Sequence, residues 1–223
     1  MKRINKNCCL FAFGLLMILS MAASAQSKIT VSKLDLKKIP KGLRYEGDIK
    51  NAIRWTDNSG DNIVITTITK AYASKDDPNF GGTNRDLFAY HYLINSDSVS
   101  QTWKIHDYVK DCIADLEMSF LKNTFQVTDL NNDGVGEVWM MYKLVCHGDV
   151  SPLDMKIIMY QGQQKFAMRG QNKVYDGMDD KGRKQYSGGN YTFDPAFTDG
   201  PVEFREFAKK LWNKNIMQIW PSY

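Results

Sequence analysis

From about residue 44 onward this chain is dominated by runs in which apolar and polar residues alternate. A period of two commits a segment to strand, because successive side chains there point to opposite faces. Between Arg44 and Thr56, Tyr45, Ile49, Ile53 and Trp55 share one parity. Asp57-Asn58-Ser59-Gly60-Asp61 is a turn cluster, and Asn62 to Tyr72 returns rich in Ile, Val and Thr. These three segments predict a hairpin. Asp86 to Ile94 interleaves Phe88, Tyr90 and Tyr92 with Leu87, Ala89 and Leu93, so that strand is expected to be covered on both faces. Trp103 to Val109 and Cys112 to Phe120 read as two further strands, and Glu137 to Cys146 as another. A later hairpin runs from Met155 to Tyr160, turns at Gln161-Gly162-Gln163 and returns through Lys165 to Arg169.

Two stretches interrupt the alternation. Ser74 to Arg85 and Asp176 to Asn190 are rich in Gly, Asp and Lys and poor in apolar residues, and both read as solvated loops. Near the end the period becomes helical. Phe204, Phe207, Ala208, Leu211 and Trp212 line one stripe, Pro201 suits a first turn, and Lys209, Lys210 and Lys214 fall late, where cations complement the helix dipole. The stripe is expected to dock on the chain's own sheet. The expected fold class is α+β: mainly antiparallel β-sheet in hairpins and meander, with one C-terminal amphipathic helix. Residues 26–223 are expected to form a single β-rich domain ending in a helix over 201–219. A composition of 43% hydrophobic and 24% charged residues over 223 positions excludes collagen-like, coiled-coil and wholly disordered chains.

Residues 1–25 have the three parts of a secretory signal peptide. Lys2, Arg3 and Lys6 open it, Cys8 to Ala22 form an apolar core of about fifteen residues, and Ala23-Ser24-Ala25 gives a small-x-small cleavage site before Gln26. The run is short of the ~20 residues a transmembrane helix needs. Cys8 and Cys9 precede the core, which argues against a lipoprotein. The expectation is a cleaved leader, no membrane span after it, and a periplasmic or secreted protein. Cleavage also changes the charge: without Lys2, Arg3 and Lys6 the formal +4 becomes +1, with 26 basic residues facing 25 acidic ones. Such a chain lacks the electrostatic footprint of a nucleic-acid binder.

Export alters how the cysteines read, since Cys112 and Cys146 are the two that follow the leader. Cys112, Ala114, Leu116, Met118 and Phe120 share one parity, as do Val138, Met140, Tyr142, Leu144 and Cys146. Laid antiparallel with Cys112 opposite Cys146, each apolar residue meets an apolar partner, and that register permits a disulfide. In the alternative, Leu121-Lys122-Asn123 turns the first run onto Thr124 to Thr128 and leaves the cysteines two strands apart.

The sharpest motif is Asp129-Leu130-Asn131-Asn132-Asp133-Gly134-Val135-Gly136-Glu137. A tight loop turns alternate side chains inward, so Asp129, Asn131 and Asp133 point to one centre, the Val135 carbonyl supplies a fourth ligand and Glu137 a fifth. Such a set suits a hard cation with six or seven oxygen ligands, and calcium, the abundant one outside the cell, is expected there in a structural role. Position 12 of an EF-hand would need glutamate, where this chain has Met140, and both flanks read as strands. The loop looks instead like the shorter acidic loop that joins strands in integrin-type repeat modules. Thr56 to Asn62 echoes it faintly. The competing reading is a hairpin turn without metal, for which Asn132-Asp133-Gly134 suffices.

Catalytic signatures are few: no G-x-S-x-G, H-E-x-x-H, Walker or dinucleotide motif occurs. His91 lies within an apolar strand and reads as a core residue. His106 and Asp107 are adjacent on a strand and so face opposite ways. His147, Asp149 and Asp154, beyond a strand end, are the best-placed candidates for catalysis.

The segment Thr128 to Gly170, with Arg54 to Ile65 and Asp111 to Leu130, resembles a family of secreted Bacteroidota proteins named surface polysaccharide biosynthesis proteins. The resemblance implies a process, the making or export of envelope glycan, and carries no catalytic residues or cofactor. The function expected is that of an exported non-enzymatic protein of the cell envelope linked to surface polysaccharide, partnered by a glycan or an envelope protein. A binding surface is expected among exposed aromatics beside the two long loops. The alternatives are an enzyme acting on envelope polysaccharide and a structural accessory of a larger assembly.

Overall fold

The computed structural model describes residues 29–75, 81–96 and 98–219; the leader of residues 1–25 lies outside them. The chain opens with a short strand β1 (Ser32–Lys33) and then β2 (Asp48–Asp57), which turns through Asn58-Ser59 into β3 (Gly60–Ile68). β4 (Tyr72–Ala73), β5 (Thr83–Ile94) and β6 (Val99–Cys112) follow. These six form one antiparallel sheet, with β1, β2, β3 and β5 side by side and β6 on the far edge of β5. β4 pairs with residues 83–84 of β5, beyond the stretch that pairs with β3.

β7 (Asp115–Phe120), β8 (Gln126–Thr128), β9 (Glu137–His147), β10 (Asp154–Gln161) and β11 (Gln164–Gln171) build a second sheet. β12 (Lys173–Met178) and β13 (Lys184–Gly188) make a separate ribbon, and β14 (Tyr191–Phe193) then joins the second sheet beside β11. A five-residue helix α1 (Pro195–Asp199) precedes α2 (Val202–Asn215). The result is the expected α+β fold, mainly antiparallel sheet with one long C-terminal helix.

The two sheets share a core. Val64, Leu87, Ala89 and Ile105 from the first meet Met118, Val138, Met140 and Ile158 from the second. The second sheet is buried on its other face too. There Trp139, Met141, Ile157 and Met168 pack against Phe197, Phe204, Ala208 and Trp212, so the helical stripe docks on the chain's own sheet. The outer face of the first sheet buries Ile63, Ile65, Phe88, Tyr90 and Tyr92 under Leu34, Ile39 and Leu43 of the N-terminal segment. Tyr90 accepts there from the Glu46 amide at 3.2 Å, and the Tyr92 hydroxyl donates to the Arg44 carbonyl. This cover is why β5 carries large side chains on both faces.

Several expectations need correction. β2 starts at Asp48, not Arg44, and contains a bulge at Lys50. A bulge inserts one residue and flips the parity before it, so Ile49 packs on the outer face while Ile53 and Trp55 pack inside. Tyr45 stays exposed. Asp176 to Asn190 is not a plain loop, because most of it is the β12–β13 ribbon. The long helix ends at Asn215, short of 219. The Asn215 amide donates to the Leu211 carbonyl at 2.8 Å, and the chain beyond it pairs with β12 through Lys173 N–H to the Ile216 carbonyl (2.7 Å) and Gln218 N–H to the Lys173 carbonyl (2.8 Å). No helix among the described residues is long and apolar enough to cross a membrane.

Candidate functional site

Cys112 ends β6 in the first sheet and Cys146 lies in β9 of the second, and the structure joins them in a disulfide with Cα atoms 5.4 Å apart. The register differs from the one the alternation suggested. Cys146 stands opposite Leu116, not Cys112, because Ile113 and Ala114 carry the chain from one sheet to the other before β7 begins. Parity is kept while pairing slides by four residues. β8 pairs with β9 as well, beyond β7, so the two short strands share one edge, interrupted at residues 121–125.

The acidic motif forms the β8–β9 turn, and its faint echo in the β2–β3 turn lies against it. Asn58 N–H donates to the Gly134 carbonyl at 2.9 Å, the Asn58 amide to the Asp133 carbonyl at 3.0 Å, and Gly136 N–H to Asp57 at 2.9 Å. Both glycines are dictated by this contact. A Cβ on Gly134, where φ is +78°, would sit 2.1 Å from the Asn58 side chain, and one on Gly136 would meet Val127 at 2.7 Å and the Trp55 indole nitrogen at 2.9 Å. Burial works against the Asp57 carboxylate, yet hydrogen bonds from Ser59, Gly136, Trp55 and Asn62 outweigh it and hold its pKa below the ordinary value.

Within the motif, Asp129, Asn131 and Asp133 are brought together. Asp129 accepts from the Asp133 amide at 3.1 Å and the Gly134 amide at 3.2 Å, and Asn131 donates to Asp133 at 2.9 Å. Asp133 also accepts from Val135 N–H at 2.8 Å and from Gln161 at 2.8 Å. Glu137 is fully buried and turned to the loop's own backbone, accepting from Thr128 Oγ at 2.7 Å and from Leu130 N–H at 2.9 Å. Burial pushes its pKa up against those hydrogen bonds.

The histidines lie apart. His91 is buried between Trp55 and Trp103, with ring centroids 5.6 and 5.2 Å away, and its Nε2 is 2.9 Å from the side-chain Oδ1 of Asn62. His106 and Asp107 do face opposite ways. His106 pairs with Asp86 at 2.6 Å, which also accepts from Tyr72 at 2.8 Å, while Asp107 accepts from Tyr142 at 3.0 Å and Lys156 at 2.6 Å of the other sheet. His147, Asp149 and Asp154 share no hydrogen bond. Asp149 caps Ser151 N–H at 2.9 Å, Asp154 begins β10, and His147 Nδ1 is buried without a hydrogen-bond partner among the described residues.

A feature the sequence did not reveal is a cleft of about 470 Å³ at one side of the two sheets. Lys33, Lys50 and Arg85 line it from the first sheet, and Lys122 from the turn after β7. Ile68, Met118, Phe120 and Phe125 supply apolar wall. A smaller depression of about 250 Å³ shares Lys33, Lys50, Asn51 and Phe125, and one of about 450 Å³ shares Ser119 to Lys122. The three run together along the edge. No family model, curated protein or solved structure matches the chain. What it can do is therefore read from such surfaces. Exposed aromatics do lie beside both atypical stretches: Tyr72 and Tyr108 near the first, and Tyr175 and Tyr186, 5.6 Å apart, on the β12–β13 ribbon. In the sequence the cleft's cations are scattered over some ninety positions. Lys50 gave no local sign either, because its bulge exists only in the pairing of β2 with β3.

Proposed function

We propose that this protein is an exported, non-catalytic domain of the cell envelope that binds surface glycan. The observation that carries the reading is the long edge cleft, in which partly buried Phe120 and Phe125 and the amides of Asn51 and Asn123 stand together. Sugars present one apolar face and a rim of hydroxyls, and this is the mixture of walls that accepts them. The secretory leader, the inter-sheet disulfide and the resemblance to secreted surface-polysaccharide proteins support the compartment and the process. The test is a glycan array and calorimetry with purified protein. Binding of an envelope glycan that is recovered unaltered is the expected result. Product formation that is lost in a folded His147→Ala variant would turn the reading to an enzyme. Co-purification with an envelope protein, without glycan affinity, would turn it to a structural accessory.

We also propose that the β8–β9 turn takes calcium in a structural role. The convergence of Asp129, Asn131 and Asp133 supports this, with the Val135 carbonyl as a further ligand. Glu137, committed to Leu130 and Thr128, acts by holding the loop's shape. At the weak affinity of extracellular modules, Kd of roughly 10⁻⁴–10⁻³ M, a millimolar of calcium adds about 1 kcal/mol. The expected result is a melting temperature that rises by a few degrees with calcium, falls back with chelator, and no longer responds in Asp129→Ala or Asp133→Ala. An unchanged melting temperature in the unaltered protein sinks the idea.

A further inference from the structure

We propose that the edge cleft is built for an acidic polysaccharide, whose carboxylate or sulfate groups are held by Lys33, Lys50, Arg85 and Lys122. This deepens the glycan-binding reading and rests on it. The four cations come from four different elements, and no acidic residue lines the cleft among the described residues. Nor does any of the four form an ion pair among those residues, although several other lysines and arginines of the chain do. With the leader removed the chain carries nearly equal numbers of basic and acidic residues, so the excess in the cleft is local. Like charges gathered without partners repel one another, and an anion placed among them relieves that cost.

The details favour a chain of sugars. Lys50 occupies the β-bulge of β2 and enters the cleft for that reason. Arg85 donates Nε to the Thr69 carbonyl at 3.1 Å, and this is the one hydrogen bond its guanidinium makes among the described residues. Its terminal nitrogens keep the fork geometry that grips a planar carboxylate. Phe120 and Phe125 offer apolar surface between the cations. The depressions on either side, reached through Lys33 and Lys50 at one end and Ser119 to Lys122 at the other, lengthen the cleft into a track. A single small anion would not fill it. A duplex nucleic acid would require basic surface well beyond a narrow track, and the near-neutral chain does not supply it.

The experiment measures binding of purified protein to polygalacturonate, dextran sulfate, unmodified dextran and duplex DNA at two salt concentrations. One or both acidic polysaccharides should bind, more weakly at the higher salt, and which one binds identifies the anion. Lys50→Glu with Lys122→Glu, both on exposed side chains, should raise Kd at least tenfold with the melting temperature unchanged. The milder Lys50→Gln with Lys122→Gln should raise it several-fold. Lys210→Glu with Lys214→Glu makes the same charge change on α2 and should stay within twofold. Equal losses in cleft and helix variants would overturn the proposal, as would DNA binding tighter than either acidic polysaccharide. Binding of dextran or other neutral glycans alone would sink the charge inference and leave the glycan reading standing. Failure to bind any glycan would sink both.

Discussion

Taking the protein from pH 7 to pH 4 is expected to remove about 3 kcal/mol of stability through His91 alone. Burial holds the His91 pKa down at about 4 against an ordinary 6.5, with the charge of Asp57 opposing it. The ring is stacked between two indoles, with the Asn62 side-chain Oδ1 accepting from Nε2–H and the Thr102 hydroxyl at Nδ1. This arrangement is satisfied by the neutral ring. Above pH 6.5 folded and unfolded chains are both neutral at this position, and the full stability is present. As pH falls through 6.5 the unfolded chain takes up a proton that the folded one refuses, and stability drops until about pH 4, where the folded ring protonates too. In a protein of this size the loss corresponds to a melting temperature lower by roughly 6–12 °C. Glu137 works the other way: its raised pKa favours the protonated, folded form, so its contribution grows as pH falls towards the ordinary glutamate value. The lowered pKa of Asp57 acts only in more acid solution. His91→Gln keeps hydrogen-bonding capacity and removes the titration. Urea unfolding of both proteins at pH 7, 6, 5 and 4 isolates the effect as the difference between the two curves. Parallel curves would mean that the folded ring takes up its proton over the same pH range as the unfolded chain, and the account of its burial would be wrong.

The hairpins could be read in the sequence because each is a local event. Alternation sets the strand, a turn cluster reverses it, and both signals lie within about twenty residues. The β2–β3 and β10–β11 hairpins are of this kind. What could not be read depends on contacts between distant segments. Nothing near Ile49 announces that Lys50 is an extra residue, because the bulge matters only against β3. The slide of β7 by four residues follows from where the chain crosses between sheets, and alternation fixes parity without fixing register. The β12–β13 ribbon carries so few apolar residues that its pattern resembled a loop. At the acidic motif the ligand spacing was legible, whereas the diversion of Glu137 to Leu130 and Thr128 was not. The same holds for the docking of Asp57 and Asn58 on Gly136 and Gly134. The cleft was the least legible of all, since its cations come from four elements that meet only when the sheets pack.

Opening the Cys112–Cys146 disulfide is expected to cost about 3–4 kcal/mol, by loop entropy for a separation of 34 residues. The bridge closes a loop that contains β7, β8 and the acidic turn, and it ties the last residue of β6 in the first sheet to β9 in the second. Without it the unfolded chain gains the freedom of that whole segment, while the native packing of Met118 and Val138 in the shared core is unchanged. Cys112 is buried and Cys146 is exposed. Cys112→Ala with Cys146→Ala should lower the melting temperature by roughly 6–16 °C, and reduction of the unaltered protein should reproduce most of that. A change below about 1 kcal/mol would show that the segment stays ordered in the unfolded chain and that loop entropy is the wrong description. The thiol count adds a check on the proposed export, because Cys8 and Cys9 fall within the residues 1–25 expected to be cleaved. Unfolded without reductant, a cleaved and bridged chain shows no free thiol, and an uncleaved, unbridged chain shows four. Two thiols would leave two possibilities, a bridge with the leader retained or a cleaved chain with no bridge, and N-terminal sequencing decides between them. A cleaved chain beginning at Gln26 with two free thiols would remove the disulfide while keeping the compartment. An uncleaved chain with two would keep the bond and remove the leader's cleavage, and with it the route by which the bond was expected to form.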